Sequence, residues 1–306
     1  MAKTQSAFRN HVEYAGLLLG SLLLGWTPLF LAKALANALA DIWRWIDKRH
    51  RRRIIEQSMS CLAIDQPAAE RLARDNYRHY MYAVLEIIRL SRMDLKIAMQ
   101  RLEVGTAEKE VQVALAAGKG VVVITGHLGN WEWGCMALGQ VGAVEGVIAR
   151  SLDNPLIDAA INKTRRRSGV EVWYKQGAIR KAMSALRRAR GFAAVIDQDA
   201  GRNGVMVPFL GRPASTMSLP VELALRTGSP IIVLALMRDG EVMRFKSVNG
   251  PILWPDADAD PEQEKMRLLT AVNNELTEII RNHPEQWIWI LNRWKTDWVR
   301  ERPAAH

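Results

Sequence analysis

At 306 residues the chain is long enough to bury one large core or two modest ones. Two cysteines, Cys61 and Cys135, supply neither a disulfide framework nor a metal-type spacing, which suits a reducing compartment. The 42 Lys and Arg against 32 Asp and Glu leave a formal charge of +10, which calls for an anionic partner; eleven tryptophans favour a membrane over nucleic acid, for which no recognised module is present.

In chain order, the first feature is Tyr14 to Ala32, 19 residues without a charged side chain. That is just long enough to span a bilayer as a helix, and Gly16, Gly20, Gly25 and Pro28 are tolerated there, Gly16 with Gly20 making a G-x-x-x-G. It lacks a convincing small-x-small cleavage site and runs into more helix, so a cleavable signal peptide is not expected. Arg44, Lys48, Arg49, Arg51, Arg52 and Arg53 come next and would hold the rest of the chain on the cytoplasmic side of an anionic membrane. The alternative is a buried helical hairpin bent at Pro28. Ala34 to Trp45 continues as a Trp-containing helix suited to the interface. Residues 1–54 are thus expected to be an anchoring and interfacial unit, and 55–306 one domain with no internal repeat or long linker.

Pro67 opens a helix whose apolar positions, from Leu72 to Ile88, recur at three and four. From Gly120 onward strand and helix alternate. The predicted strands are Val121 to Thr125, Val144 to Ala149, Glu171 to Tyr174, Phe192 to Ile196, Val205 to Phe209, Ile231 to Met237 and Val242 to Val248. Predicted helices run from Trp131, Leu156, Ala178, Pro220 and Pro261. This alternation predicts an α/β fold with a central, mostly parallel sheet flanked by helices on both faces.

In such sheets ligands bind at the carboxyl ends of the strands. His127 leaves the first of these strands at that edge, and Asn130 is a good N-cap for the helix that follows, placing Glu132 in its first turn. A carboxylate on one imidazole nitrogen fixes the tautomer, so the other can take a proton from a hydroxyl. The competing reading is a strand-end histidine bonded to a carbonyl. The run Arg150-Ser151-Leu152-Asp153-Asn154-Pro155 leaves another strand at the same edge, and a basic run at Arg165-Arg166-Arg167 ends the next helix; Arg166 and Arg167 are expected to face solvent. Asp197-Gln198-Asp199 lies at a third strand end, where the two acids either face one site or cap their own loop. Two acids without a partnering histidine make a poor metal set, so no metal is expected. Val207 to Thr216 reads as a tight loop in which Gly211 permits close backbone approach. There is no G-x-S-x-G elbow, phosphate-binding loop, C-x-x-C or H-E-x-x-H, and Cys135 reads as a small buried hydrophobe.

Thr125-Gly126-His127-Leu128-Gly129-Asn130-Trp131-Glu132 resembles the H-x4-D/E motif of glycerolipid acyltransferases, in the wording of their bacterial branch, the late acyltransferases of lipid A biosynthesis and the mannoside acyltransferases of mycobacteria. Arg150 to Pro155 resembles that branch's R-x-x-x-N-P, Arg165 to Gly169 its R-x-R-x-G, and Asp197-Gln198-Asp199 with Val207 to Thr216 its D-Q-D and v-P-F-f-G-r-p-A-x-T block. Pro284 to Lys295 resembles its terminal P-x-Q-[YW]-x-W-x-H-R-R-[FW]-K, with Leu291 and Asn292 where many members carry His and Arg. The blocks span residues 55–298 in order.

The resemblance implies the glycerolipid acyltransferase fold with an N-terminal membrane-anchoring helix, at the bacterial inner membrane with the catalytic domain on the cytoplasmic side. It implies transfer of an acyl chain from an acyl carrier protein or coenzyme A thioester, with no other cofactor, to a hydroxyl of a glycolipid in lipopolysaccharide biosynthesis. His127 would be the general base and Glu132 its orienting acid, with oxyanion donors near Gly129 and Asn130. Arg150, Asn154, Arg165, Asp197, Gln198, Asp199 and Gly211 would surround the acceptor. A different lipid acceptor, such as a phosphatidylinositol mannoside or an aminolipid, and a catalytically silent lipid-binding protein are the alternatives.

Overall fold

The computed structural model describes residues 7–174 and 177–296, so the last two positions of the resembling stretch lie outside the described residues. The chain starts with three helices, α1 (Ala7–Trp26), α2 (Leu29–Ile46) and α3 (Lys48–Leu62), which pack on a fourth, α4 (Gln66–Leu90). Pro28 has an extended backbone (ψ 141°) and no N–H, so it ends α1 and starts α2. The uncharged run from Tyr14 is therefore divided between two helices. Among the described residues no helix is long and apolar enough to cross a membrane, which corrects the expectation of a spanning segment.

Helix α2 carries its bulk on the outside. Ala32, Ala36 and Ala40, spaced four apart, are buried, and their small side chains let α2 approach α4 closely. Phe30, Leu31, Leu35, Leu39, Ile42, Trp45 and Ile46 face outward, and α1 adds Leu18, Leu19, Leu22, Leu23 and Trp26 to the exposed apolar surface. The hairpin is bent at Pro28 but its apolar face is not buried in this chain.

After α5 (Leu95–Met99) comes a seven-stranded sheet built from β1 (Leu102–Glu103), β2 (Val122–Thr125), β3 (Val144–Ile148), β4 (Glu171–Trp173), β5 (Gly191–Val195), β8 (Ile231–Arg238) and β9 (Phe245–Asn249). The spatial order is β1-β9-β8-β2-β5-β3-β4, parallel throughout except for the antiparallel β8–β9 pair. The period of two sends Val122 and Ile124 into one core with Phe192, Ile231 and helices α9 (Ala178–Arg187), α10 (Leu219–Thr227) and α11 (Pro261–Asn282). Val121 and Val123 enter another, with Ala193, Ile232 and helices α6 (Ala107–Ala116) and α7 (Trp131–Gln140). Helix α8 (Pro155–Arg167) follows β3; its Arg166 and Arg167 are exposed, as expected, and Arg167 also donates to the Ser91 and Met93 carbonyls (2.6 and 2.7 Å) beyond the end of α4.

The predicted loop at Val207 to Thr216 is instead an antiparallel hairpin, β6 (Val205–Phe209) with β7 (Arg212–Thr216), turned by Leu210 and Gly211. Both turn residues have positive φ (50° and 78°), the conformation that matches the twist of a two-residue hairpin. A Cβ on Gly211 would meet open space, so the glycine serves its dihedral and not a close approach.

α4 is joined to the sheet by a buried ion pair. Arg238, at the end of β8, meets Glu86 of α4 through two bonds of 2.7 Å, and the Asn130 amide and Met243 N–H fill the rest of the carboxylate (3.0 and 3.1 Å). Removing one partner of a fully buried pair strands the other charge. Glu86→Ala is expected to lower stability by about 3–5 kcal/mol, read as a reduced urea midpoint of the detergent-solubilised protein.

Candidate active site

Thr125 of β2 pairs with Val195 of β5 in parallel register, so the residues two further along, His127 and Asp197, leave the carboxyl edge side by side. Asp197 is fully buried and accepts three hydrogen bonds. They come from the His127 backbone N–H (2.6 Å), His127 Nδ1 (2.8 Å) and the Trp287 indole N–H (2.8 Å). Gly126 makes room for this carboxylate, because a Cβ there would lie 2.9 Å from Asp197 Oδ2.

With Nδ1–H donated to Asp197, Nε2 is the nitrogen left to accept a proton, and it has no protein partner among the described residues. The side chain is 21% exposed, and the edge of Trp131 lies against it at a centroid distance of 5.1 Å. Burial opposes protonation of the imidazole, but the Asp197 charge and hydrogen bond, with the charge of Glu132, outweigh it and hold the His127 pKa above its ordinary value. Burial likewise opposes ionisation of Asp197, and His127 and Trp287 overcome it, so the carboxyl titrates below its ordinary range.

The expected bond from Glu132 to His127 is not made. Glu132 lies in the first turn of α7 as predicted, but its carboxylate is clamped bidentately by Arg165 of α8, Nε to Oε2 at 2.9 Å and Nη2 to Oε1 at 2.5 Å. Glu132 therefore acts on the imidazole through its charge, while Asp197, 70 positions away, holds the ring. Arg165, expected at the acceptor, is committed to Glu132.

The N–H groups of Gly129 and Asn130 are also committed, to the carbonyls of Gln286 (3.0 Å) and Leu236 (2.8 Å), which corrects their assignment as oxyanion donors. Gly129 has φ +53°, and a Cβ on it would lie 2.0 Å from the Leu236 carbonyl oxygen, so this turn fits only glycine. The Asn130 side chain caps α7 by accepting from Trp133 N–H (3.2 Å). This leaves the Trp131 and Glu132 amides of the first turn without a partner among the described residues.

Of the other predicted residues, Asn154 is buried. It caps α8 through Leu156 N–H and Ile157 N–H (3.0 and 3.4 Å) and donates to Asn10 O and Glu13 Oε2 of α1 (2.9 and 3.0 Å), a structural set of bonds. Asp199 caps its own loop, accepting from Gly201 N–H and from the N–H and hydroxyl of Thr296, each at 2.7 Å. Gln198 next to it is exposed, its carbonyl held by Arg293 (3.1 Å). Arg150 leaves the carboxyl edge of β3 with its side chain 82% exposed and a loose pair to Asp153 (3.9 Å). Gly211 sits at the hairpin tip beside Leu210, whose N–H bonds Thr277 of α11 (3.0 Å). Burial pushes the Cys135 thiol up to about 12, which keeps it protonated.

Two contributors were not legible as site residues. Trp287 follows a short 3-10 turn (Pro284–Gln286) and bridges antiparallel to Leu128, and Ile288 N–H bonds the His127 carbonyl (3.1 Å). Arg293, fully buried under the Phe209 ring (4.9 Å), binds Gln198 O, Ser215 O and Thr216 Oγ1 (2.6 Å), tying the Asp197 loop to the hairpin. Burial lowers its pKa to about 10 against the pull of Asp197 and Asp199. The terminal motif contained both residues, but no periodicity marks a tryptophan as a hydrogen-bond donor.

The sequence model of the family described as bacterial lipid A biosynthesis acyltransferase matches residues 2–296. A lipid A biosynthesis acyltransferase of Haemophilus influenzae is 24% identical over 299 residues, 93% of this chain and 89% of that protein. A phosphatidylinositol mannoside acyltransferase of Mycobacterium tuberculosis is 26% identical over 224 residues, covering 72% and 69%. Another of that name from Mycolicibacterium smegmatis is 24% identical over 237 residues, covering 76% and 75%.

Because Asp197 stabilises the imidazolium, its removal should make the ring easier to deprotonate. In Asp197→Asn the His127 ring resonance, followed by NMR, is expected to titrate at lower pH than in the wild type. An unmoved midpoint would mean that the carboxylate does not govern the imidazole.

Proposed function

The chain belongs to the bacterial lipid A biosynthesis acyltransferases, and on that premise we propose that it transfers a fatty acyl chain from an acyl carrier protein or coenzyme A thioester to a hydroxyl of a membrane glycolipid, a lipid A precursor foremost. The observation that carries this reading is the Asp197-held imidazole with Nε2 unengaged. Nε2 takes the proton of the acceptor hydroxyl as its oxygen attacks the thioester carbonyl. The tetrahedral oxyanion is met by preorganised donors, for which the Trp131 and Glu132 amides at the positive end of α7 are the candidates. When it collapses, the carbon–sulfur bond breaks and the imidazolium returns the proton to the departing thiolate, giving ester and free thiol. The hydroxyl attacks directly, so no covalent acyl-enzyme is needed. Asp197 orients the base, and Glu132, fixed by Arg165, adds negative charge that favours the imidazolium. Arg150 and Gln198, exposed at the same sheet edge, are the predicted acceptor contacts that no internal bond of their side chains beyond the loose Asp153 pair ties down.

A phosphatidylinositol mannoside acceptor is the second reading, supported by the names of the mycobacterial relatives. Residues 1–54 form the membrane-attaching unit in this proposal and 55–306 the catalytic part. The exposed apolar faces of α1 and α2 dip into the cytoplasmic leaflet of the inner membrane, and the arginines at the start of α3 meet its anionic headgroups.

His127→Ala is expected to lower acyl transfer by about 10²–10⁴-fold. In lipid mass spectra of a strain lacking the gene, only the wild-type copy should restore the missing acyl mass. The mass gain identifies chain and acceptor; equal restoration by His127→Ala would refute general-base catalysis. Replacing Leu19, Leu22, Leu35 and Leu39 with serine removes exposed apolar surface without touching the core, and should abolish flotation with phosphatidylcholine–phosphatidylglycerol vesicles while the chain stays folded.

A further inference from the structure

Outside the His127 site lies a basic cleft of about 440 Å³, a volume typical of small-ligand sites, between α3, the tip end of the β6–β7 hairpin and the segment at Asn292 and Trp294. Four guanidinium groups line it, those of Arg49, Arg52 and Arg53 on α3 and Arg212 on β7, against the single carboxylate of Glu56. Glu56 engages Arg52 at 2.6 Å, so most of the charge is uncompensated within the cleft. Arg53 is steadied by the Ile290 carbonyl (3.0 Å) and Arg212 by the Trp294 ring (4.7 Å), which preorganises two of the four cations. A phosphate would use these guanidinium groups, whose planar forks match its oxygens bidentately.

We propose that this cleft binds the phosphate-bearing headgroup of a membrane lipid. Its position selects the lipid over a soluble phosphate: Trp45 and Ile46, exposed at the end of α2, lie only four and three positions before Arg49, across the break at Asp47, so the apolar surface of α2 adjoins the helix that carries the arginines. A chain of contacts also joins the cleft to the imidazole. Trp294 packs edge-on against Trp287 (6.2 Å), and Trp287 donates to Asp197. The inference deepens the proposed function by giving the phosphate of the lipid acceptor a site distinct from Arg150 and Arg165.

Inorganic pyrophosphate, titrated calorimetrically into the full chain in nonionic detergent, tests the site without turnover. Wild type should bind it saturably, and the double variant Arg49→Glu/Arg52→Glu, both side chains being exposed, should bind it about tenfold more weakly or worse with an unchanged circular dichroism spectrum. Micelles doped with phosphatidic acid should displace the pyrophosphate at a concentration at least about tenfold lower than glycerol 3-phosphate, the same headgroup without tails, in undoped micelles. No binding by wild type, or equal binding by the variant, would overturn the site; displacement by glycerol 3-phosphate as readily as by phosphatidic acid would overturn the lipid assignment. Either result leaves acyl transfer through His127 standing, because that is read separately from the lipid masses.

Discussion

One buried carboxylate sets the terms for the rest of the structure. Asp197 has almost no access to water, and a carboxylate in that position is tolerated only if its lone pairs are filled. Its three donors come from two places far apart in the chain, the turn after β2 and the segment at Trp287. Satisfying the charge therefore forces the centre of the sheet and the terminal segment together. The same bonds fix the imidazole ring, so the requirement that keeps the charge buried also sets the direction of the base.

Around this centre the cations are divided by task. Arg165, Arg238 and Arg293 are spent internally, on Glu132, on Glu86 and on backbone carbonyls, and they hold α8, α4 and the hairpin in place. The α3 arginines are left facing outward beside an apolar surface. A soluble protein would ordinarily bury the large side chains of α2 and expose its alanines. Here the order is reversed, which makes sense if the medium beyond α2 is itself apolar.

The alternation of short apolar strands with helices was enough to read the α/β class and the parallel sheet, because each strand has to satisfy two cores at once. The edge carrying His127, Arg150 and Asp197 was legible for the same reason. The pairings at that edge were not. Glu132 lies five positions from His127 and Asp197 seventy, and proximity in sequence favoured the wrong carboxylate; only the β2–β5 register puts Asp197 beside the ring. β7 escaped notice because Arg212-Pro213-Ala214 has neither alternation nor β-branching, and its strand character comes from pairing with β6. The very short β1 and the helices α5 and α6 carried no strong local signal either. Asn154, Asp199 and the Gly129 and Asn130 amides sat where ligand contacts were expected, but their hydrogen bonds are used by the fold.

The dependence of Asp197 on Trp287 also bears on how the protein folds. The two residues stand 90 positions apart, one at the edge of the sheet and the other beyond α11, so the clamp is among the most non-local contacts at this edge. A loop of that size has to be closed before the buried carboxylate is fully satisfied, and the alignment of the histidine therefore waits on the docking of the segment after α11 against the turn that follows β2. The orientation of the ring is a product of the finished tertiary fold and not of the strand that carries it.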